Sequence, residues 1–188
     1  TNDADGKIAY PTIEYTLANV GTHTYTVKET SKDGNGITVD TTEYTVTVTV
    51  ADNGDGTLAV EASKNANTLN FLNTYEAAGE IALEGTKTLV GRELAAGEFT
   101  FELTDAEGNV VATARNDAEG KIVFEKLSYT TKDIGKTYTY TAKEAAGDLA
   151  GVTYDAAPIV VKVQITDNGD GTLKVEKSSD SPEIAFTN

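Results

Sequence analysis

The chain has no cysteine, no methionine and no tryptophan, and only one histidine and three prolines among 188 residues. Without cysteine there is no disulfide framework, thiol nucleophile, thiolate zinc site or thioester. The single histidine, His23, excludes a multi-histidine metal site and leaves at most one Ser-His-Asp triad. No apolar run approaches the ~20 residues of a membrane-spanning helix, and the opening residues do not read as a signal peptide. From the missing initiator methionine, a processed or excised piece is expected. Basic residues are also scarce: Lys and Arg total 15 against 30 Asp and Glu, a net charge of −15. So acidic a chain is a poor partner for nucleic acid or an anionic membrane surface, and neither is expected. What is present is a hydrophobic content of 39%, enough for packed cores and too much for disorder.

Self-comparison reveals a repeat. Asp52-Asn53-Gly54-Asp55-Gly56-Thr57-Leu58 recurs letter for letter as Asp167-Asn168-Gly169-Asp170-Gly171-Thr172-Leu173, at an offset of 115. At that offset Glu29, Asp40, Phe71 and Asn73 fall on Glu144, Asp155, Phe186 and Asn188. Asn2–Ile8 matches Asn116–Ile122 at an offset of 114. Residues 76–188 therefore read as one complete repeat. Residues 1–75 read as the C-terminal two thirds of another, without a counterpart to roughly residues 76–114. Four basic and ten acidic residues give the first part a charge of −6, and eleven and twenty give the second −9. Acidity is thus a solvated surface throughout and not a tail.

The local signal is β nearly everywhere. Tyr44–Val50, Phe99–Leu103 and Tyr138–Ala142 alternate with period two and are rich in β-branched and aromatic residues. Clusters of Gly, Asp and Asn separate such runs, which predicts an all-β chain of antiparallel sandwiches, the first one incomplete. The best helical stretch, around Leu94-Ala95-Ala96, is short enough to be a turn.

Successive strand residues point to opposite faces, so parity identifies core neighbours. Ile81, Leu83, Gly85 and Leu89 share a parity with Lys87. Tyr138, Tyr140 and Ala142 lead in step to Glu144, and Ile184 and Phe186 to Asn188. The first repeat shows two of these three groups: Tyr25 and Val27 lead to Glu29, and Leu69 and Phe71 to Asn73. Taken singly, each has an ordinary explanation in snorkelling, a wet strand end or a turn cap. Three in one unit, two of them repeated, point to chemistry. Desolvation favours the neutral forms of amines and carboxyls. A neutral lysine amine can attack the side-chain carbonyl carbon of asparagine. A protonated glutamate can polarise that carbonyl and pass protons to the departing ammonia. The product is a Lys–Asn isopeptide bond made once, with the protein as both substrate and catalyst.

The stretch Leu83-Glu84-Gly85-Thr86-Lys87-Thr88-Leu89 with Glu98–Leu103, then Tyr138–Glu144, Gly151-Val152-Thr153-Tyr154-Asp155 and Phe186-Thr187-Asn188, resembles the streptococcal pilin isopeptide-linkage (FctA-like) domain. The resemblance covers residues 76–188 and nearly all of residues 1–75. It implies tandem inverse immunoglobulin-like (CnaB-type) β-sandwiches of the kind found in pilus shafts and adhesin stalks on the Gram-positive cell wall. By the same resemblance Lys87 is the amine, Asn188 the amide and Glu144 the catalytic acid, while Glu29 and Asn73 take the last two roles in the first repeat. The first repeat's lysine would lie before residue 1, since Lys7, Lys28, Lys32 and Lys64 align elsewhere. Asn73 is therefore unlinked, or linked to a lysine outside this chain. That lysine could lie on a strand from another molecule, or the chain could be a piece of a longer repeat protein.

Other signals are weaker. Asp52–Gly56 and its copy look like calcium-loop openings, but the twelfth position that an EF-hand makes acidic holds Ser63 or Ser178. A tight hairpin explains them better. His23 aligns with Tyr138 and fills an aromatic position. Gln164, the only glutamine, points outward, against a Thr–Gln ester bond. No metal and no cofactor are expected. The expected role is a cell-surface stalk or shaft module whose partners are neighbouring repeats of the same protein or pilus. The alternative is an adhesive module for a host protein or glycan, although the loop Ala145–Ala150 offers no aromatic residue for sugar stacking. A multiple-turnover enzyme has no residues to run on.

Overall fold

A computed structural model describes all of residues 1–188. Fifteen strands and three short 3-10 turns make up its regular structure, and there is no α-helix. In chain order the strands are β1 (Gly21–Lys28), β2 (Ile37–Thr38), β3 (Glu43–Asp52), β4 (Leu58–Ala62), β5 (Thr74–Tyr75), β6 (Ala78–Ile81), β7 (Glu84–Thr88) and β8 (Thr100–Thr104). They continue with β9 (Val110–Arg115), β10 (Lys121–Val123), β11 (Leu127–Thr130), β12 (Thr137–Glu144), β13 (Ile159–Asp167), β14 (Leu173–Lys177) and β15 (Ile184–Thr187). Two compact units result: residues 1–32 with 39–73, and residues 33–38 with 74–188.

The first unit is built on one antiparallel sheet in the order β1-β3-β4. The Thr-Val alternation of β3 turns Val46, Val48 and Val50 inward, where Tyr15, Tyr25, Val27, Leu58, Ala66 and Leu69 pack against them. His23 does fill an aromatic place: its ring centroid lies 5.3 Å from that of Tyr15, and its Nε2 lies 2.6 Å from the Asn19 carbonyl oxygen. The Asp52–Thr57 loop is closed on itself. Asp52 accepts from the Gly54 amide at 2.8 Å, and Asp55 accepts from the Thr57 amide at 2.9 Å. It is the self-bonded Asx turn of a hairpin.

The second unit has the all-β architecture that the alternation predicts, and it is immunoglobulin-like as the family resemblance implies. A five-stranded sheet in the order β14-β13-β12-β8-β9 faces the strand groups β10-β7-β15 and β11-β6. Inward residues of both layers meet in one core, including Leu83, Phe101, Leu103, Ile122, Ala142, Val161, Val163 and Ile184. Phe101 and Phe186 stack across it with centroids 5.1 Å apart. Residues 33–38 join this unit as a tight turn in which Asn35 and Gly36 both have positive φ, the combination a type I′ hairpin requires. Its strand β2 pairs with β5.

Within the β10-β7-β15 group, β7 is the middle strand. It pairs antiparallel with β10 and parallel with β15, with Phe186 opposite Lys87. Parallel partners cannot be joined by a tight turn, and here nearly the whole unit intervenes. Two glycines let the backbones close in. At Gly85 a Cβ would fall 2.7 Å from Ile184 Cγ2. At Gly120, with φ +85°, it would fall 2.1 Å from the Lys87 carbonyl oxygen, which sits beside the 2.6 Å bond from the Lys87 amide to the Gly120 carbonyl. Gly120→Ala should therefore destabilise the second unit by at least about 2 kcal/mol through left-handed strain and the clash together. Chemical denaturation checks this, and an unchanged midpoint would refute it.

Candidate functional site

The three inward polar groups of the second unit meet at one point. Lys87 comes from β7, Glu144 from the end of β12, and Asn188 from just beyond β15. The Asn188 amide donates to the Thr88 carbonyl at 3.1 Å, and the Val90 amide donates to the Asn188 carbonyl at 2.7 Å. These bonds extend the β7–β15 pairing and fix Asn188 beside the lysine strand. Neither the Lys87 nor the Glu144 side chain has any solvent exposure.

One carboxylate oxygen serves both partners. Glu144 Oε1 lies 2.9 Å from Lys87 Nζ and accepts from Asn188 Nδ2 at 2.9 Å. The lysine contact is close enough for an ion pair, yet its angle makes no hydrogen bond, and Nζ has no hydrogen-bond partner at all. Nζ also sits 4.4 Å above the centre of the Phe99 ring. That ring is 1% exposed and helps keep water from the amine.

The asparagine amide is oriented from its other end by a group that sequence reading missed. The Asp155 backbone amide donates to Asn188 Oδ1 at 2.9 Å and to Glu144 Oε2 at 3.0 Å. The sequence expectation was that glutamate would polarise the asparagine carbonyl. In the structure Glu144 instead faces the amide nitrogen, and the Asp155 N–H faces the carbonyl oxygen. The Asp155 carboxylate in turn accepts from the amides of Ala157 at 3.0 Å and Thr187 at 3.2 Å, which locks the turn that presents this N–H. The only available signal was the alignment of Asp155 with Asp40.

The first unit repeats the acceptor half. Asn73 Nδ2 donates to Glu29 Oε1 at 3.0 Å, and the Asp40 amide donates to Asn73 Oδ1 at 2.8 Å. Asp40 likewise holds the Leu72 amide at 2.8 Å and the Thr42 amide at 2.9 Å. A bond from the Thr42 hydroxyl, together with those from the Leu72 and Thr42 amides, holds the Asp40 carboxyl below the usual carboxylate range. Lys28, the neighbour in sequence, also lines the cavity beside this site, but its amine pairs with Glu43 at 2.9 Å. Here Glu29 is half-buried and Asn73 exposed, and a cavity of about 530 Å³ lies beside them.

No helix is long and apolar enough to cross a membrane. Comparison with curated proteins finds no match. A family described as the FctA, Spy0128-like isopeptide-containing domain matches twice, over residues 2–76 and 83–188, one match on each side of the repeat junction. With nearly the whole length accounted for in this way, the chain belongs to the FctA family of pilin-type, isopeptide-containing structural domains.

Proposed function

We propose that residues 76–188 form a stalk or shaft module of a bacterial cell-surface pilin or adhesin, tied internally by a Lys87–Asn188 isopeptide bond. The observation that carries this reading is the single Glu144 oxygen placed 2.9 Å from both the amine and the carboxamide nitrogen. Lys87 Nζ, as the free amine, attacks Asn188 Cγ. Charge develops on Oδ1, where the Asp155 N–H already donates, an oxyanion-type arrangement. Glu144 takes a proton from the attacking nitrogen and gives it to the leaving one. The bond from Cγ to Nδ2 breaks and ammonia departs, so one amide replaces another and no oxidant or cofactor is consumed. Holding the partners in register supplies effective concentrations of about 10⁵ M or more, enough for a weak electrophile such as a carboxamide.

The mechanical role follows from strand placement. β7 lies near the start of the unit and β15 at its end, so tension passing along the chain enters and leaves through this pair. A covalent tie there carries the load that would otherwise unzip the sheet. Family membership supports a pilus or cell-wall setting, with neighbouring repeats as partners.

Intact-mass measurement with peptide mapping tests the chemistry. The expected result is a mass lower than the sequence mass by one ammonia, with Lys87 and Asn188 in one branched peptide. A chain at its full sequence mass would refute the proposal.

A further inference from the structure

Four polar or charged residues are buried: Lys87, Asn116, Glu144 and Ser178. Lys87 and Glu144 belong to the site. Asn116 lies outside it and is 3% exposed, yet both ends of its carboxamide are bonded. Its Oδ1 accepts from the Phe99 amide at 2.8 Å. Its Nδ2 donates to the carbonyls of Ala95 at 2.7 Å and Asp117 at 2.8 Å. A buried carboxamide matched in this way holds its neighbours in one geometry, because any shift leaves a polar group unpaired. The place where β8 and β9 stop pairing shows which neighbours these are. Their ladder ends at Thr100 opposite Arg115. One residue further out, the Asn116 side chain takes the buried Phe99 N–H, and the Asn116 carbonyl accepts from the Gly97 amide at 2.7 Å. Residues 95–99 are thereby fastened to the end of β9.

Both segments that Asn116 joins touch Lys87. On one side is the turn 117–121, pinned by the bond from the Lys121 amide to Asp117 at 2.6 Å. Its Gly120 carbonyl accepts from the Lys87 amide at 2.6 Å. On the other side is Phe99, whose ring centre lies 4.4 Å from Lys87 Nζ. That ring also packs edge-on against Tyr154, with centroids 5.7 Å apart. Tyr154 immediately precedes Asp155, whose N–H meets Asn188 Oδ1. Asn116 thus lies between the segment that holds the backbone of the lysine and the ring that covers its amine.

We propose that Asn116 is a positioning residue for bond formation: through the Phe99 amide it holds the ring over Lys87 Nζ, and so keeps the amine beside Glu144 and away from water. This rests on the Lys87–Asn188 reading above. Asn116 itself touches none of the reacting atoms. Without its Oδ1 the Phe99 N–H is buried and unmatched, a cost that residues 95–99 relieve by drawing out toward solvent. The ring then leaves the amine, and the productive geometry is held for a smaller share of the time.

The test follows the mass of the freshly made whole chain and takes the rate of ammonia loss per folded molecule, with the folded fraction read by circular dichroism. Asn116→Ala should slow linkage at least about tenfold. Asn116→Asp, whose neutral acid still accepts from Phe99 and donates to one carbonyl, should stay close to the wild-type rate. Phe99→Leu should slow linkage as much as Asn116→Ala, and the double variant no further, because both changes remove the same ring placement. A residue that only stabilised the fold would change the folded fraction and leave the rate per folded molecule alone. A second readout needs no reaction. In the unlinked Glu144→Gln chain, the Phe99 ring should shift the resonance of the Lys87 methylene next to Nζ upfield, and adding Asn116→Ala should return it toward the free-lysine position. Unaltered linkage in Asn116→Ala, slow linkage in Asn116→Asp, multiplied losses in the double variant or a methylene unmoved by Asn116→Ala would each overturn this inference and leave the Lys87–Asn188 reading standing. A wild-type chain that never links would refute both.

Discussion

Lys87→Met is expected to return the second unit to its full sequence mass and to lower its melting temperature by about 15 °C or more. The proposed crosslink would close a loop of about 100 residues, for which chain-entropy arguments give roughly 4–5 kcal/mol of stabilisation. For a domain of about 120 residues, 1 kcal/mol moves the midpoint by about 4 °C. Methionine fills nearly the same volume as the lysine stem, so the loss reports the bond and not a cavity. The variant also leaves the Glu144 carboxylate in a water-free site without its cation, which costs further. The Asp155 and Asn188 N–H groups still donate to it and limit that cost. Calorimetry on the whole chain measures the shift. A Lys87→Met chain that melts with the wild type would mean that the tie does not exist or does not stabilise.

Glu144→Gln is expected to slow bond formation by about 10²–10⁴-fold, the usual contribution of a positioned acid-base group. Glutamine keeps the shape and can still meet Asn188, but it cannot accept the proton that the attacking amine must shed. Freshly made protein should therefore hold Lys87 and Asn188 side by side and unlinked. Its mass should drift down by one ammonia over a time course far longer than for the wild type. Linkage as fast as in the wild type would remove Glu144 from the mechanism and leave proximity alone to carry it.

Strand parity alone brought Lys87, Glu144 and Asn188 to one interior, because a period-two pattern fixes which face a residue occupies once its stripe is apolar. The missing lysine partner of Asn73 was also visible, as a gap in the repeat. Two features were not legible. The Asp155 donor is a backbone N–H, which every residue but proline possesses, so no residue type marks it. Phe99 lies above the amine from the opposite layer, a contact set by sheet packing and not by spacing along the chain. The assignment of residues 33–38 to the second unit escaped for a similar reason. The Asn35-Gly36 turn announces a hairpin, but nothing local says which strand it will pair.

The parallel pairing of β7 with β15 has a topological consequence once Lys87 and Asn188 are joined. Residues 88–187 would then form a closed ring hanging from the proposed path of tension. The covalent route from residue 76 to Asn188 then runs through twelve residues and one side-chain bridge. Any single backbone cut within the ring leaves the two ends of the module connected. So joined, the unit would separate continuity from fold: it could be nicked, or locally unravelled in its loops, without parting.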